Sequence, residues 1–323
     1  MNSPNVRDGF QPINKGYNSV FQKHKLSLGL VVPLEAYTTS PIPTMKDHLK
    51  RIQLAEELGF SAVWLRDVPF HVPAFGDTGQ IYDPFVYLGL LAGQTDTIAL
   101  GVASIILPLR HPAHIAKAAA SVDDLSGGRL LLGIASGDRP EEYPALDIPF
   151  HQRGKMFRDS YQYLQQMWKD YPEFQNAYGH LVGHIDMLPK PVNRKIPLLI
   201  TGSSQQSPEW LAENGDAWMT YPRNVQRQSQ LISDWRNRTV MAGLPEKPAM
   251  QSLYIDLIDD SDAPPQPIHL GFRSGVRHLR EHLKSLEQIG INHVALNLRF
   301  NQASIETTLT RISEEILPEF SGA

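Results

Sequence analysis

The feature that most constrains this chain is a recurrence of eight short apolar runs, separated by segments of helical periodicity. The runs are LSLGLVV (26–32), AVWLR (62–66), IALGVASIILP (98–108), RLLLGIA (129–135), IPLLIT (196–201), AWMTY (217–221), SLYIDLI (252–258) and HVALNL (293–298). Most are apolar at successive positions, which is what strands covered on both faces require, so a parallel sheet is expected. Between the first two runs, TMKDHLKRIQLAEELGF starts at a Thr cap, sets Leu49, Ile52, Ala55 and Leu58 on one stripe and stops at Gly59. RSGVRHLREHLKSLEQIGI repeats the design with Val276, Leu279, Leu283 and Leu286 inward and Gly290 as the stop. Strands alternating with helices eight times predict an α/β chain folded as a single (β/α)8 TIM barrel. The rival architecture, an open doubly wound sheet, needs a glycine-rich turn after its first strand. Here that turn is VVPLEAYTTSPIP, without a glycine cluster.

A chain of 323 residues accommodates one such barrel with insertions. Residues 1–25 read as a polar N-terminal arm and 26–323 as the barrel domain. Insertions are expected at 137–153 after the fourth strand, at 171–195 before the fifth, and at 259–274 after the seventh. In the second of these, GHLVG reads as one strand of a small hairpin.

Several function classes are disfavoured. A net charge of -4 with mixed signs offers no footprint for a nucleic acid backbone. There is no cysteine, hence no disulfide, thiolate metal site or cysteine nucleophile. The first 25 residues lack an apolar signal region, and no run approaches a membrane span, so a cytoplasmic protein without a membrane partner is expected. The histidine pairs His278/His282 and His180/His184 lack a third ligand, so no metal is expected. Every lysine falls outside the expected strands, which disfavours Schiff-base chemistry, and no GxSxG elbow is present.

In a barrel the chemistry belongs at the C-terminal ends of the strands. Those ends are Pro33–Glu35, Asp67–His71, Ser104–Arg110, Ser136–Asp138, Thr201–Ser204, Tyr221–Arg223, Asp259–Asp260 and Asn297–Phe300. The fifth, in LLITGSSQQSPEWL, is an expected anion site: Gly202 permits close approach to the backbone, Ser203 and Ser204 donate, and a helix start adds unpaired amides. Ser136 and Gly137, in GIASGD, form the facing wall. A dinucleotide fingerprint is not met, because Gly133 and Gly137 have three residues between them and no third glycine follows. Gly127 and Gly128, in LSGGR, read as a helix stop.

GVASIILPLRHPAHIAKAAASVDDLSGGRLLLGIASGD, together with TGSSQQSPEWLAENGDAWMT, resembles the bacterial luciferase-like flavin monooxygenase family. The resemblance implies a barrel that holds reduced FMN, or in one branch a deazaflavin coenzyme, over its mouth. It implies a non-prolyl cis peptide between Ala103 and Ser104 beneath the ring. It also implies a phosphate site at Ser136 and at Gly202, Ser203 and Ser204, flanked by Gly137 and Thr201, and a flavin contact from Tyr143. The further expectations are a homodimer, a separate flavin reductase as partner, and oxidation of a small organic substrate with O2.

The sequence also departs from the luciferase pattern. Asp67 holds the acidic position after the second strand, but Val68 and Pro69 stand where luciferases carry histidines, and Ser136 replaces an arginine. A compensating phosphate contact would fall to Arg223. Asp67 is the candidate acid/base partner and Arg299 the candidate substrate or cofactor contact. Hydride transfer with a deazaflavin, and a flavin-binding barrel without turnover, are the alternative readings.

Overall fold

A computed structural model describes residues 9–320 of the chain. In chain order its strands are β1 (Ser27–Val31), β2 (Ala62–Leu65), β3 (Ala99–Ile106), β4 (Leu130–Ala135), β5 (Glu173–Asn176), β6 (Gly179–Val182), β7 (Leu198–Thr201), β8 (Ala217–Thr220), β9 (Ala249–Leu257), β10 (Gln266–Ile268), β11 (Gly271–Ser274) and β12 (His293–Asn297). The sequence β1, β2, β3, β4, β7, β8, β9, β12 pairs parallel throughout, and β12 returns to β1, closing an eight-stranded barrel. All eight runs read from the sequence are its strands. GHLVG supplies β6, which pairs antiparallel with β5.

The helices are α1 (Lys15–Val20), α2 (His48–Glu57), α3 (Pro84–Ala92), α4 (Pro112–Leu125), α5 (Arg153–Met167), α6 (Pro208–Asn214), α7 (Val225–Met241), α8 (Val276–Gln288), α9 (Ile305–Glu315) and α10 (Leu317–Phe320). On α8 the four leucine and valine positions of the sequence stripe are all buried. On α2 the stripe packs inward as expected, but the helix does not start at Thr44. The Glu35 carboxylate accepts from the Thr44 and Met45 amides, both at 2.9 Å, and α2 begins only after Asp47. Pro112 opens α4 with the His111 ring accepting from the Ala113 amide, and Gly127 and Gly128 end it with φ of 64° and 83°. None of the described helices is long and apolar enough to cross a membrane.

Inside the barrel, small residues make room for one large one. The Trp64 indole lies so close to Gly101 that a Cβ there would meet the ring at 2.2 Å. Its Nε1–H donates to His293 Nε2 at 2.8 Å, so the His293 proton sits on Nδ1, facing Ser27 Oγ at 2.7 Å. Burial pushes the His293 imidazole down to about 3, which keeps it a neutral core group.

Two expectations require correction. The polar arm is in part a plug: Phe10, Ile13, Tyr17, Val20 and Phe21 pack against the barrel interior from below, and residues 1–8 lie outside the described residues. Gly16 permits the approach, since a Cβ there would stand 2.5 Å from the Arg129 carbonyl oxygen. The polar residues between these apolar positions hid the pattern. The insertion after the seventh barrel strand is likewise not an irregular loop. β10 and β11 form a hairpin, and β11 extends the sheet beside β9.

Candidate active site

At the C-terminal ends of the strands lies a cavity of about 660 Å³, within the size range of small-ligand and cofactor sites. Its floor is apolar, built from Val31, Trp64, Ala103, Met219, Met250 and Ala295. The Ala103–Ser104 peptide is cis. The Ser104 and Thr201 hydroxyls are hydrogen-bonded to each other across the floor.

The structure brings Asp67, Ala103, Ser104, Ser136, Gly137, Thr201, Gly202, Ser203, Ser204 and Arg299 around one cavity. Tyr143 is not among them. It is fully buried behind the wall, where its hydroxyl donates to the Ser136 carbonyl and its ring packs edge-on against Phe150. Arg223 also stands apart, donating to Thr220 Oγ1 and the Tyr221 carbonyl at 2.8 Å each. Asp259, expected at the end of the seventh strand, is fully exposed, because β9 runs on past the mouth to meet β11. The cavity takes Gln251, Ser252 and Tyr254 from the middle of β9 instead.

The anion site is assembled differently from the sequence expectation. Gly202, Ser204 and Gln205 have φ of 57°, 45° and 60°, so the chain turns here and cannot begin a helix. Helix α6 starts only at Pro208, with Ser207 as its cap. The donors are those of the turn. Among the described residues, the amides of Ser203, Ser204 and Gln205 and the Ser203 hydroxyl donate no hydrogen bond within the protein. Consecutive unpaired amides in such a turn form an anion-binding concavity. The Ser136 hydroxyl, also unbonded, faces the same cavity. Ser204 Oγ is used in the turn itself, donating to the Thr201 carbonyl at 2.8 Å.

Asp67 is fully engaged. Its carboxylate accepts from Arg110 Nη2 at 2.8 Å and from the Ile106 amide at 3.2 Å, which ties β2 to the end of β3. Arg299 lies 3.2 Å from Asp77, donates to the Gly76 carbonyl at 2.8 Å and stacks on Tyr37 and Phe300.

Sequence reasoning missed three groups in the wall. Arg66 was absorbed into the second strand, yet it extends past β2 and donates to Asp77 at 2.7 Å. Asp77 belongs to a loop whose return to the mouth has no sequence signature. Glu142 is 2% exposed, with Oε1 unbonded and Arg139 Nη1 at 3.8 Å. Burial pushes its carboxyl up to about 7; Arg139 pulls it down, while Asp67, Asp138 and Glu141 reinforce the rise. The acidic pair in RPEEY was a signal available in the sequence.

The sequence profile of the luciferase-like monooxygenase family matches residues 27–263. The chain belongs to this family. Luciferase-like proteins include flavin-dependent and deazaflavin-dependent oxidoreductases and monooxygenases. The alkanal monooxygenase alpha chain of Photorhabdus luminescens is 27% identical over 202 residues, 60% of this chain and 54% of its own length. The F420-dependent hydroxymycolic acid dehydrogenase of Mycobacterium tuberculosis is 26% identical over 205 residues, 61% of this chain and 53% of its own. Among solved structures, a monooxygenase from Streptomyces bottropensis superposes with a TM-score of 0.76 at 17% identity, covering 91% of this chain and 100% of the other. At that identity the likeness is one of fold.

Proposed function

We propose that this luciferase-like protein is a flavin-dependent oxidoreductase that uses reduced FMN and O2 on a small organic substrate. The observation that carries the reading is the unbonded donor set, the Ser203 to Gln205 amides with the Ser136 hydroxyl, beside an apolar floor. Those residues fit the group: neutral donors suit a phosphate, and the floor suits a flat aromatic ring. FMN, when bound, supplies the redox chemistry, and the chain supplies orientation and exclusion of water.

Each wall residue then has a task. Ser136, Ser203 and the turn amides hold the phosphate, with Gly137, Thr201, Gly202 and Ser204 shaping that wall. Ala103 and Ser104 support the ring from the floor. Asp67 is a positioning residue, fixing the end of β3 through the Ile106 amide. Glu142, a buried carboxyl in the wall that burial pushes up to about 7, takes or gives a proton, and Arg299 contacts substrate. Tyr143 acts at one remove, by holding the Ser136 carbonyl. A homodimer working with a separate reductase completes the proposal.

A deazaflavin-dependent hydride transfer is the second reading, favoured by Val68 in the cavity wall where luciferases carry a histidine. Titration with FMN and with the deazaflavin, followed by O2 uptake across a substrate panel, tests both. Tight FMN binding with substrate-dependent O2 uptake is expected. Binding of the deazaflavin alone overturns the first reading, and flavin binding without turnover on any substrate favours a storage role.

A further inference from the structure

Arg66 and Arg299 meet on one side of the mouth, and the carboxylate between them is already saturated. Asp77 Oδ1 accepts from the Tyr37 hydroxyl at 3.0 Å and the Gly79 amide at 2.9 Å. Its Oδ2 accepts from Arg66 Nη2 at 2.7 Å, with Arg299 Nη1 at 3.2 Å. Arg139 reaches the same loop from the opposite wall, its Nη2 donating to the Asp77 carbonyl at 3.4 Å and its guanidinium lying 4.6 Å over the Phe75 ring.

Donors are left over. Among the described residues, Arg66 Nη1 makes no hydrogen bond within the protein, and Arg66 Nε and Arg299 Nε are buried without partners. Asn297 lends its Oδ1 to the Arg299 amide at 3.0 Å, which leaves its Nδ2 unused, and the Tyr254 hydroxyl is unbonded. A wall with two guanidinium groups, an amide and a phenol around one saturated carboxylate has more donors than acceptors and carries net positive charge.

Its position matters as much as its charge. Around the closed barrel, β12, β1 and β2, which lead into Arg299, Tyr37 and Arg66, stand opposite β4, β7 and β8, which lead into Ser136, Ser203 and Tyr221. A cofactor held by its phosphate at the latter group leaves the arginine side to the molecule on which it acts. We infer that the arginine side binds the carboxylate of the substrate, which is therefore an organic acid with its reactive end toward the cofactor. Guanidinium groups pair with carboxylates through charge-assisted, often bidentate hydrogen bonds. The inference rests on the phosphate position proposed above, and the same donors would also satisfy the cofactor's own phosphate, so the test separates the two sources.

Isothermal titration calorimetry of the full chain, with and without FMN, compares hexanoate and benzoate with hexanamide and benzamide. Each carboxylate is expected to bind about tenfold or more tightly than its amide. Arg66→Met and Arg299→Met should abolish that preference, and Arg66→Lys should retain part of it. Asn297→Asp changes packing volume little and serves as the variant least prone to misfold; the added negative charge should weaken the acids more than the amides. Equal binding of acid and amide to the unmodified protein overturns the inference. In parallel, FMN should keep its advantage over riboflavin in Arg66→Met. If the advantage disappears there, the arginines hold the cofactor phosphate and the inference falls. Failure of the unmodified protein to bind FMN removes the flavin reading, whereas the acid and amide comparison without FMN still decides the carboxylate site.

Discussion

Glu142→Gln gives a pH-resolved test of the cavity wall. The folded chain holds the Glu142 proton up to about 7 where an ordinary glutamate releases it near 4.5. An acid with a raised folded value contributes stability that is fully present below the unfolded value and is lost as pH rises through the folded one. At about 1.4 kcal/mol per pKa unit, the loss between about pH 4.5 and 7 amounts to about 3–4 kcal/mol at most. Glutamine preserves the shape and does not titrate, so Glu142→Gln should match the unmodified protein near pH 5 and exceed it by about 2–3 kcal/mol near pH 8. Urea unfolding midpoints over that range, read as the difference between the two proteins, cancel every other titrating group. Parallel curves would refute the reasoning, since they would mean that Glu142 ionises in the folded protein as freely as in the unfolded one.

Other changes probe the frame. Arg129 donates to the Ser126, Ala92, Thr95 and Ile98 carbonyls and to Thr95 Oγ1, so Arg129→Met should cost about 3 kcal/mol or more in urea unfolding by leaving those acceptors unpaired. Gly101→Ala drives a Cβ into Trp64 and should cost about 1–3 kcal/mol in urea unfolding, whereas Gly89→Ala on α3, with open space around it, should stabilise by up to about 1 kcal/mol in the same assay. Arg110→Gln strands the buried Asp67 carboxylate and should cost about 2–4 kcal/mol; adding Asp67→Asn should recover part of that loss, which a double-mutant cycle measures.

The barrel was legible because its strands are buried on both faces and therefore read as continuous apolar runs. Ser136 and Gly202 to Ser204 were legible as cavity-lining positions because they directly follow such runs, whereas Ala103 and Ser104, inside the third run, came from the family resemblance. What escaped depends on contacts between distant segments. Asp77 is held at the mouth by Arg66 and Arg299, which come from distant parts of the chain. Tyr143 sat in the expected loop but turned its hydroxyl to the Ser136 carbonyl, and one sequence does not specify which way a loop side chain faces. The start of α6 was misplaced because Gly–Ser–Ser looked like a cap, while Ser–Pro four residues on gave the stronger signal. The plug formed by Phe10, Ile13, Tyr17, Val20 and Phe21 was obscured by polar neighbours, and local composition outweighed the spacing.

A crystal structure of the protein with FMN bound tests the proposed cofactor site directly. The phosphate is expected against the Ser203 to Gln205 amides and the Ser136 hydroxyl, with the ring over Ala103 and Ser104 and the arginine side left open. A phosphate seated on Arg66 and Arg299 would contradict that placement.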